Sequence, residues 1–191
     1  MKKSLLMIIA ASLVATTAVL GQGTIVVANS AAVNGVRANV TDNPGTPVTG
    51  PTMWAQVYAG PSADSLTPQG APVNFLTGTN AGLISAQTIA VASVAPGANV
   101  FVQLRGWEGA LGSTYESSYT RTATGLSNIV GPFVTGGAGS PPSTPPNVTG
   151  LRSFVIGAPE PSTYAMALIG AGALLLRRYT RCTRERPESG S

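Results

Sequence analysis

The most constraining feature of this 191-residue sequence is a long apolar region without helical periodicity. From residue 24 to residue 156, apolar residues recur in short runs or at every second position, and Gly, Pro, Asn and Asp separate the runs. Alternation with period two is typical of β-strands, and those turn residues end strands. The whole sequence has 43% hydrophobic residues, and without a long helix this region can bury its apolar side chains only between facing sheets. The sequence therefore predicts an all-β fold.

Seven or eight short strands are predicted, at the spacing of a β-sandwich. They are Thr24–Ala28, Val36–Thr41, Met53–Tyr58, Pro72–Leu76, Gln87–Val94, Asn99–Trp107, Ile129–Thr135 and Leu151–Ile156, with a polar loop predicted over Pro61–Gln69. Residues 136–150 form a Gly/Pro-rich loop or linker. We interpret the last strand as an edge strand, because a free stalk would expose Phe154 and Ile156.

Two of these segments carry a resemblance to a known fold. Met53–Tyr58 is similar to the C strand of fibronectin type III and related immunoglobulin-like domains, and residues 92–107 are similar to their E–F corner and F strand. Phe101 replaces the corner tyrosine of such folds, or that tyrosine is absent. The resemblance implies an immunoglobulin/fibronectin-III-like β-sandwich over residues 22–157.

The N-terminus has the pattern of an export signal. Lys2 and Lys3 precede an apolar run from residue 5 to residue 20, and small residues then offer a cleavage site. We predict a signal-peptide helix over residues 1–21, with cleavage after Gly21. Cleavage after Ala18 and an uncleaved anchor helix are the alternatives.

The C-terminus combines a polar motif, an apolar segment and a basic cluster. No charged residue occurs from residue 161 to residue 176, and as a helix this run measures roughly 24 Å, slightly short of a bilayer core. We predict a membrane helix over residues 162–176, flanked by Arg177 and Arg178. The basic tail 179–191 is then cytoplasmic by the positive-inside rule.

This order of parts resembles the PEP-CTERM sorting signal of exported bacterial proteins, over residues 158–178. The resemblance implies a sorting motif at Pro159, Glu160 and Pro161. It also implies an exosortase-type processing enzyme and, transiently, the inner membrane as partners. The expected destination is the cell surface or the extracellular matrix.

The charge distribution argues against nucleic acid as a partner. The net charge is +4, but residues 22–158 carry four arginines and four acidic residues. The excess positive charge therefore lies in the two termini, and no basic patch remains for a phosphate backbone.

Residue types limit the chemistry of the predicted domain. Histidine is absent and Cys182, in the tail, is the only cysteine, so Ser-His or Cys-His catalysis and zinc sites built from these residues are excluded there. We expect no cofactor and no metal. At Asp42 and Asn43, a plain Asx turn is favoured over a calcium site. Glu108 and Glu116 could form the carboxylate pair of a glycosidase, but two solvated loop acids are the favoured interpretation.

Carbohydrate binding is the stronger alternative. Trp54 and Tyr58 share one strand face, and Trp107 and Tyr115 lie near the end of another strand. Such rings can stack on sugars if they are exposed, but a sandwich commonly buries a tryptophan in its core. The leading expectation is a non-enzymatic exported protein associated with the cell surface or with exopolysaccharide, and the alternative is a carbohydrate-binding module.

The signal-peptide prediction has a direct test. N-terminal sequencing of the exported protein should begin at Gln22, because Gly21 ends the predicted signal peptide. A sequence that begins at Met1 would contradict the prediction.

Overall fold

The structure, a computed structural model, describes residues 21–43, 45–119 and 122–157. Most of the predicted signal peptide, the whole predicted sorting signal from residue 158, its predicted membrane helix and the basic tail lie outside the described residues. Within the described ranges, no helix has the length and apolar character needed to cross a membrane.

The described part of the chain is all-β. Its strands are β1 Gly23–Val27, β2 Val40–Asn43, β3 Thr46–Pro47, β4 Met53–Gly60, β5 Thr67–Asn74, β6 Gln87–Val91, β7 Asn99–Glu108, β8 Thr124–Leu126, β9 Val130–Val134 and β10 Phe154–Val155. Two single-turn helices, α1 Ala31–Asn34 and α2 Tyr115–Ser118, and a 3-10 turn, Gly78–Asn80, connect them.

The strands form three sheets. The largest has the order β5-β4-β7-β8, and β9 also pairs with β7. Its central strand β7 is ten residues long and runs antiparallel to β4 from the pair Met53–Glu108 to the pair Gly60–Phe101. A second sheet pairs β1 with β6, and a third has the order β10-β2-β3. The long β4–β7 ladder therefore lies at the centre of the largest sheet.

One apolar cluster joins the three sheets. The side chains that alternate on β7, Val100, Val102 and Leu104, are at most 1% exposed. The cluster adds members from the other strands and from the last described segment, among them Ile25, Val57, Ile89, Val40, Leu151 and Ile156. Removing this apolar surface from water is the main favourable contribution to folding.

Most predicted strands are present with shifted ends, and the differences have physical reasons. The predicted loop Pro61–Gln69 is in part strand, because β5 begins at Thr67 and pairs with β4. Pro68 and Pro72 hide this strand from sequence patterns, yet an edge strand tolerates residues without an N–H donor. The strand predicted over Val36–Thr41 begins only at Val40.

The C-terminal part of the described chain packs against the sheets. The Gly/Pro-rich segment touches β1 through the isolated bridges Thr24–Gly136 and Val26–Asn147. Further on, β10 pairs in parallel with β2 at a sheet edge, as the edge-strand interpretation expects. Leu151 and Ile156 are each 1% exposed, so this segment contributes to the core.

Asn29, just after β1, connects three segments of the backbone. Its Nδ2 donates to the carbonyl oxygens of Ala38 and Gly82, both at 2.8 Å. Its Oδ1 accepts from the N–H of Ile84 at 2.8 Å. The side chain is 1% exposed, so no water competes for these bonds.

We therefore expect Asn29→Ala to lower the free energy of unfolding by about 3 kcal/mol, because it leaves the buried Ala38 carbonyl and Ile84 N–H without the Asn29 amide. The Gly82 carbonyl still accepts from the Val40 N–H at 3.0 Å. Asn80→Ala, in the exposed 3-10 turn, is the matched control. Urea unfolding of the full-length protein followed by tryptophan fluorescence measures both variants. Equal midpoints for the two variants would contradict the structural role of Asn29.

Candidate functional site

The β4–β7 ladder carries a row of polar and aromatic side chains on the face opposite its apolar residues. Side chains alternate between the two faces of a sheet, so every second residue of each strand belongs to this row. The register places Trp54 opposite Trp107, Gln56 opposite Arg105, and Tyr58 opposite Gln103.

The loop after β7 returns over this face and forms α2. Thr114 begins the helix with a capping box, in which its side chain accepts from the Ser117 N–H and the Ser117 side chain accepts from the Thr114 N–H. The cap fixes the orientation of α2 and places Tyr115 against the sheet. The rings of Tyr115 and Tyr58 meet edge to face, with centroids 6.2 Å apart.

An ion pair, Arg105 with Glu116, adjoins these rings. The Tyr58 hydroxyl donates to Glu116 Oε1 at 2.6 Å, and Arg105 Nη1 lies 3.9 Å from the same oxygen. The Arg105 guanidinium carbon is 4.0 Å from the Tyr58 ring centroid and 5.1 Å from that of Tyr115, which is cation–π geometry. Its Nε donates to Gln103 Oε1 at 2.9 Å. We call Tyr58, Gln103, Arg105, Tyr115 and Glu116 the Arg105 cluster.

The environment shifts the pKa values within this cluster in opposite directions. Burial, and then the bond to Glu116, raise the pKa of Tyr58, so its hydroxyl stays protonated and donates. Partial burial alone would raise the pKa of Glu116. The bond from Tyr58, a backbone hydrogen bond and the charge of Arg105 outweigh burial and lower the pKa of Glu116. Glu116 is therefore a carboxylate at neutral pH.

The aromatic rings predicted as possible sugar contacts are mostly covered. Tyr58, Trp107 and Tyr115 are 1%, 0% and 5% exposed, and Trp54 is half-buried. The indole N–H of Trp107 donates to Ser113 Oγ at 2.9 Å, and that of Trp54 donates to the Gly109 carbonyl at 3.1 Å. These three buried rings offer no free face for stacking on a sugar in this conformation, whereas Trp54 keeps part of its surface exposed.

Glu108 and Glu116 have different neighbours. Glu116 belongs to the Arg105 cluster, whereas Glu108 lines a cleft of about 320 Å³ together with Asp42, Thr49, Met53 and Ile156. A glycosidase needs a general acid with a raised pKa beside a second carboxylate. The lowered pKa of Glu116 does not suit that role.

The remaining predicted site residues belong to the predicted sorting signal and its flank. They lie outside the described residues: Pro159, Glu160, Pro161, Arg177 and Arg178. Within the described ranges, no group of three or more His, Cys, Asp or Glu side chains is placed to hold a metal ion.

Sequence reasoning missed the Arg105 cluster. The alternation of Gln103, Arg105 and Trp107 placed them on one face of a strand, and that signal was available. The pairing of Glu116 with Tyr58 depends on where the loop after β7 returns, which a single sequence does not reveal. The face is therefore closed by a contact that spans 58 positions in the chain.

Acid titration tests this cluster. Because the pKa of Glu116 is lowered on folding, its carboxylate stabilises the fold above the ordinary value of about 4.3, and this contribution is lost as the pH falls through the folded-state value. Glu116→Gln should remove that part of the acid dependence. The change should stay below about 1 kcal/mol, since 57% of the side chain is exposed and solvent screens the charge.

Urea midpoints of the full-length protein between about pH 7 and about pH 3 measure the effect. Glu108→Gln controls for the loss of one negative charge outside the cluster. Identical pH profiles of the two variants would contradict a specific contribution of Glu116.

Three comparisons with known proteins complete the description. No protein-family model matches the chain, and neither a curated protein nor a solved structure is detectably similar to it.

Proposed function

We propose that this chain is an exported, non-enzymatic surface protein whose β domain is delivered through a PEP-CTERM-like sorting signal. On this proposal, an exosortase-type enzyme processes the chain near Pro159, Glu160 and Pro161 at the inner membrane. The domain then reaches the cell surface or an exopolysaccharide-containing matrix. The supporting sequence feature is the order of motif, apolar run and arginines from residue 158 to residue 178.

The described strands are compatible with both proposed cuts. Its first strand begins at Gly23 and its last strand ends at Val155. Cleavage after Gly21 and cleavage near residue 159 would both leave every described strand whole. A chain that is trimmed at both ends during export needs a domain of this kind between the two cuts.

The proposed type of domain is an immunoglobulin/fibronectin-III-like sandwich between a signal-peptide helix and a membrane helix. In such folds strands C, F and G form one sheet, to which variable-type domains add C′, and B and E belong to the other. The order β5-β4-β7-β9 fits C′-C-F-G, and the antiparallel β1–β6 pair fits B-E. The sheet of β2, β3 and β10 is an addition to this plan.

A non-catalytic role is supported by the state of the ionisable groups. Arg105 pairs with the Glu116 carboxylate, and the Tyr58 hydroxyl donates a hydrogen bond to the same carboxylate. These groups contact one another across β4, β7 and α2, so the cluster fixes a loop on a sheet. Stabilising the folded domain is the role that this geometry supports best.

The physical logic of the sorting end comes from its residue types. Two prolines disfavour helix at the motif, so a processing enzyme meets an extended segment. The apolar run is short for a permanent anchor, and Arg177 and Arg178 oppose its passage across the membrane. Together these features hold the motif at the outer boundary of the inner membrane for a limited time.

Replacing Pro159, Glu160 and Pro161 by alanines should leave membrane insertion intact and block release of the domain. Fractionation of an exosortase-bearing bacterial host, with immunodetection of the domain, measures insertion and release separately. Pro187→Ala with Glu188→Ala, a second Pro-Glu pair in the tail, is the matched control and should be released like the parent. Release of the motif variant at the parental level would show that this motif is not a sorting signal.

A further inference from the structure

The last described segment, residues 146–157, is held by side chains as well as by strand pairing. Its apolar residues Val148, Leu151 and Ile156 are at most 1% exposed. The Val26 N–H donates to the Pro146 carbonyl, and the Val148 N–H donates to the Val26 carbonyl, both at 2.8 Å. We call residues 146–157 the clamped segment.

Asn34 holds the middle of the clamped segment from one side. Its Oδ1 accepts from the N–H of Leu151, and its Nδ2 donates to the carbonyl of the same residue, both at 2.8 Å. The amide thus forms the hydrogen bonds that a neighbouring strand would otherwise form, because it satisfies both the N–H and the carbonyl of Leu151. Asn34 is 2% exposed, so these bonds are shielded from water.

Asn128 holds the same stretch at a second point. Its Nδ2 donates to the Gly150 carbonyl at 3.0 Å, and its Oδ1 accepts from the Arg152 N–H at 2.8 Å. These two bonds are exposed, unlike those of Asn34. The two asparagines together engage three consecutive residues of the clamped segment.

Backbone hydrogen bonds attach the end of the clamped segment to the rest of the fold up to its last residue, Gly157. The Ile156 N–H donates to the Thr41 carbonyl at 2.7 Å. Gly157 and Thr124 exchange two backbone hydrogen bonds, at 3.0 and 3.2 Å. A Cβ atom at Gly125 would collide with the Val155 carbonyl oxygen, so β8 lies close against this end.

This attachment limits what a processing enzyme can bind. A proteolytic cleft takes extended backbone whose N–H and C=O groups are free to pair with it. In the clamped segment many of those groups are paired within the fold, among them the N–H groups of Leu151, Arg152 and Ile156, and freeing them requires local opening. Only Ala158 separates Gly157 from Pro159, so two Cα–Cα steps, at most about 7 Å, separate the last described residue from the motif.

We infer that the clamped segment sets the upstream limit of processing: the enzyme takes no residue before Ala158 as its cleavage site, and the released protein retains the whole segment through Gly157. This inference rests on the proposed function for the existence of the cut, whereas the protection of the segment is a property of the fold. The two parts are therefore tested separately.

The first arm needs no processing enzyme. Thermolysin, which cuts before apolar residues, should leave Leu151, Phe154 and Ile156 intact in the native full-length protein. Asn128→Ala should raise the rate of cleavage within the segment by about tenfold, because it removes two hydrogen bonds that the open state lacks. Asn80→Ala should leave that rate unchanged. Rapid cleavage of the parent within residues 150–157, or no difference between the two variants, would overturn the inference.

The second arm maps the C-terminus of the protein released by an exosortase-bearing host, by mass spectrometry of its last peptide. We expect an end at or after Ala158. A parental end at or before Gly157 would overturn the inference while leaving the proposed function in place. If the parent and the alanine variant of residues 159–161 are released alike, the proposed function fails, and the thermolysin arm still decides whether the segment is protected.

A spacer variant adds a measurement of the release rate to the second arm. Six Gly/Ser residues inserted between Gly157 and Ala158 should speed release severalfold, because they lengthen the reach from the fold to the motif by roughly 20 Å. The same insert between Ala63 and Asp64, in an exposed turn, is the matched control. Equal release rates for the two insertions would show that the attachment of the fold does not limit access to the motif.

Discussion

The antiparallel pairing of β4 with β7 is the constraint on which the rest of the described structure depends. Its register determines which side chains enter the apolar core, such as Val57 and Leu104, and which join the opposite face, such as Tyr58 and Arg105. A slip of one residue would exchange the two sets, placing the guanidinium in the core and the apolar side chains under α2. The core and the Arg105 cluster therefore stabilise the same register from opposite sides of one sheet.

Side-chain amides provide the second level of organisation. Several strands have only two to five residues, and the segments between them cannot satisfy their backbone groups by ladder pairing. Asn29, Asn34 and Asn128 supply the missing donors and acceptors. Among the described residues, no buried side-chain nitrogen or oxygen lacks a partner. The irregular parts of the fold are thus specified by polar side chains, since their apolar pattern is too short to specify them.

The sequence predicted the regular parts of the fold better than the contacts between them. Period-two alternation and short apolar runs indicated the all-β class. Alternation located β4 and β7, and short apolar runs located β1, β6 and β9. These patterns missed β8, which has three residues, and they placed the start of β5 in a loop because of that strand's prolines. To predict the closed face of the candidate site, one would need to know how the loop after β7 returns and brings Glu116 to Tyr58. Long-range packing decides that path. The sorting motif at residues 159–161 remains a prediction from sequence.

The prolines of the edge strands have a consequence for crowded surroundings. Pro47 lies in β3, Pro68 and Pro72 in β5, and Pro132 in β9, and each of these strands lies at the margin of its sheet. An exposed edge is a template on which a second chain can add a strand, and a residue without an N–H interrupts that template. At high protein concentration, folded domains with free edges are exposed to edge-to-edge association. The residues that obscured one strand from sequence analysis therefore also act against aggregation of the folded domain.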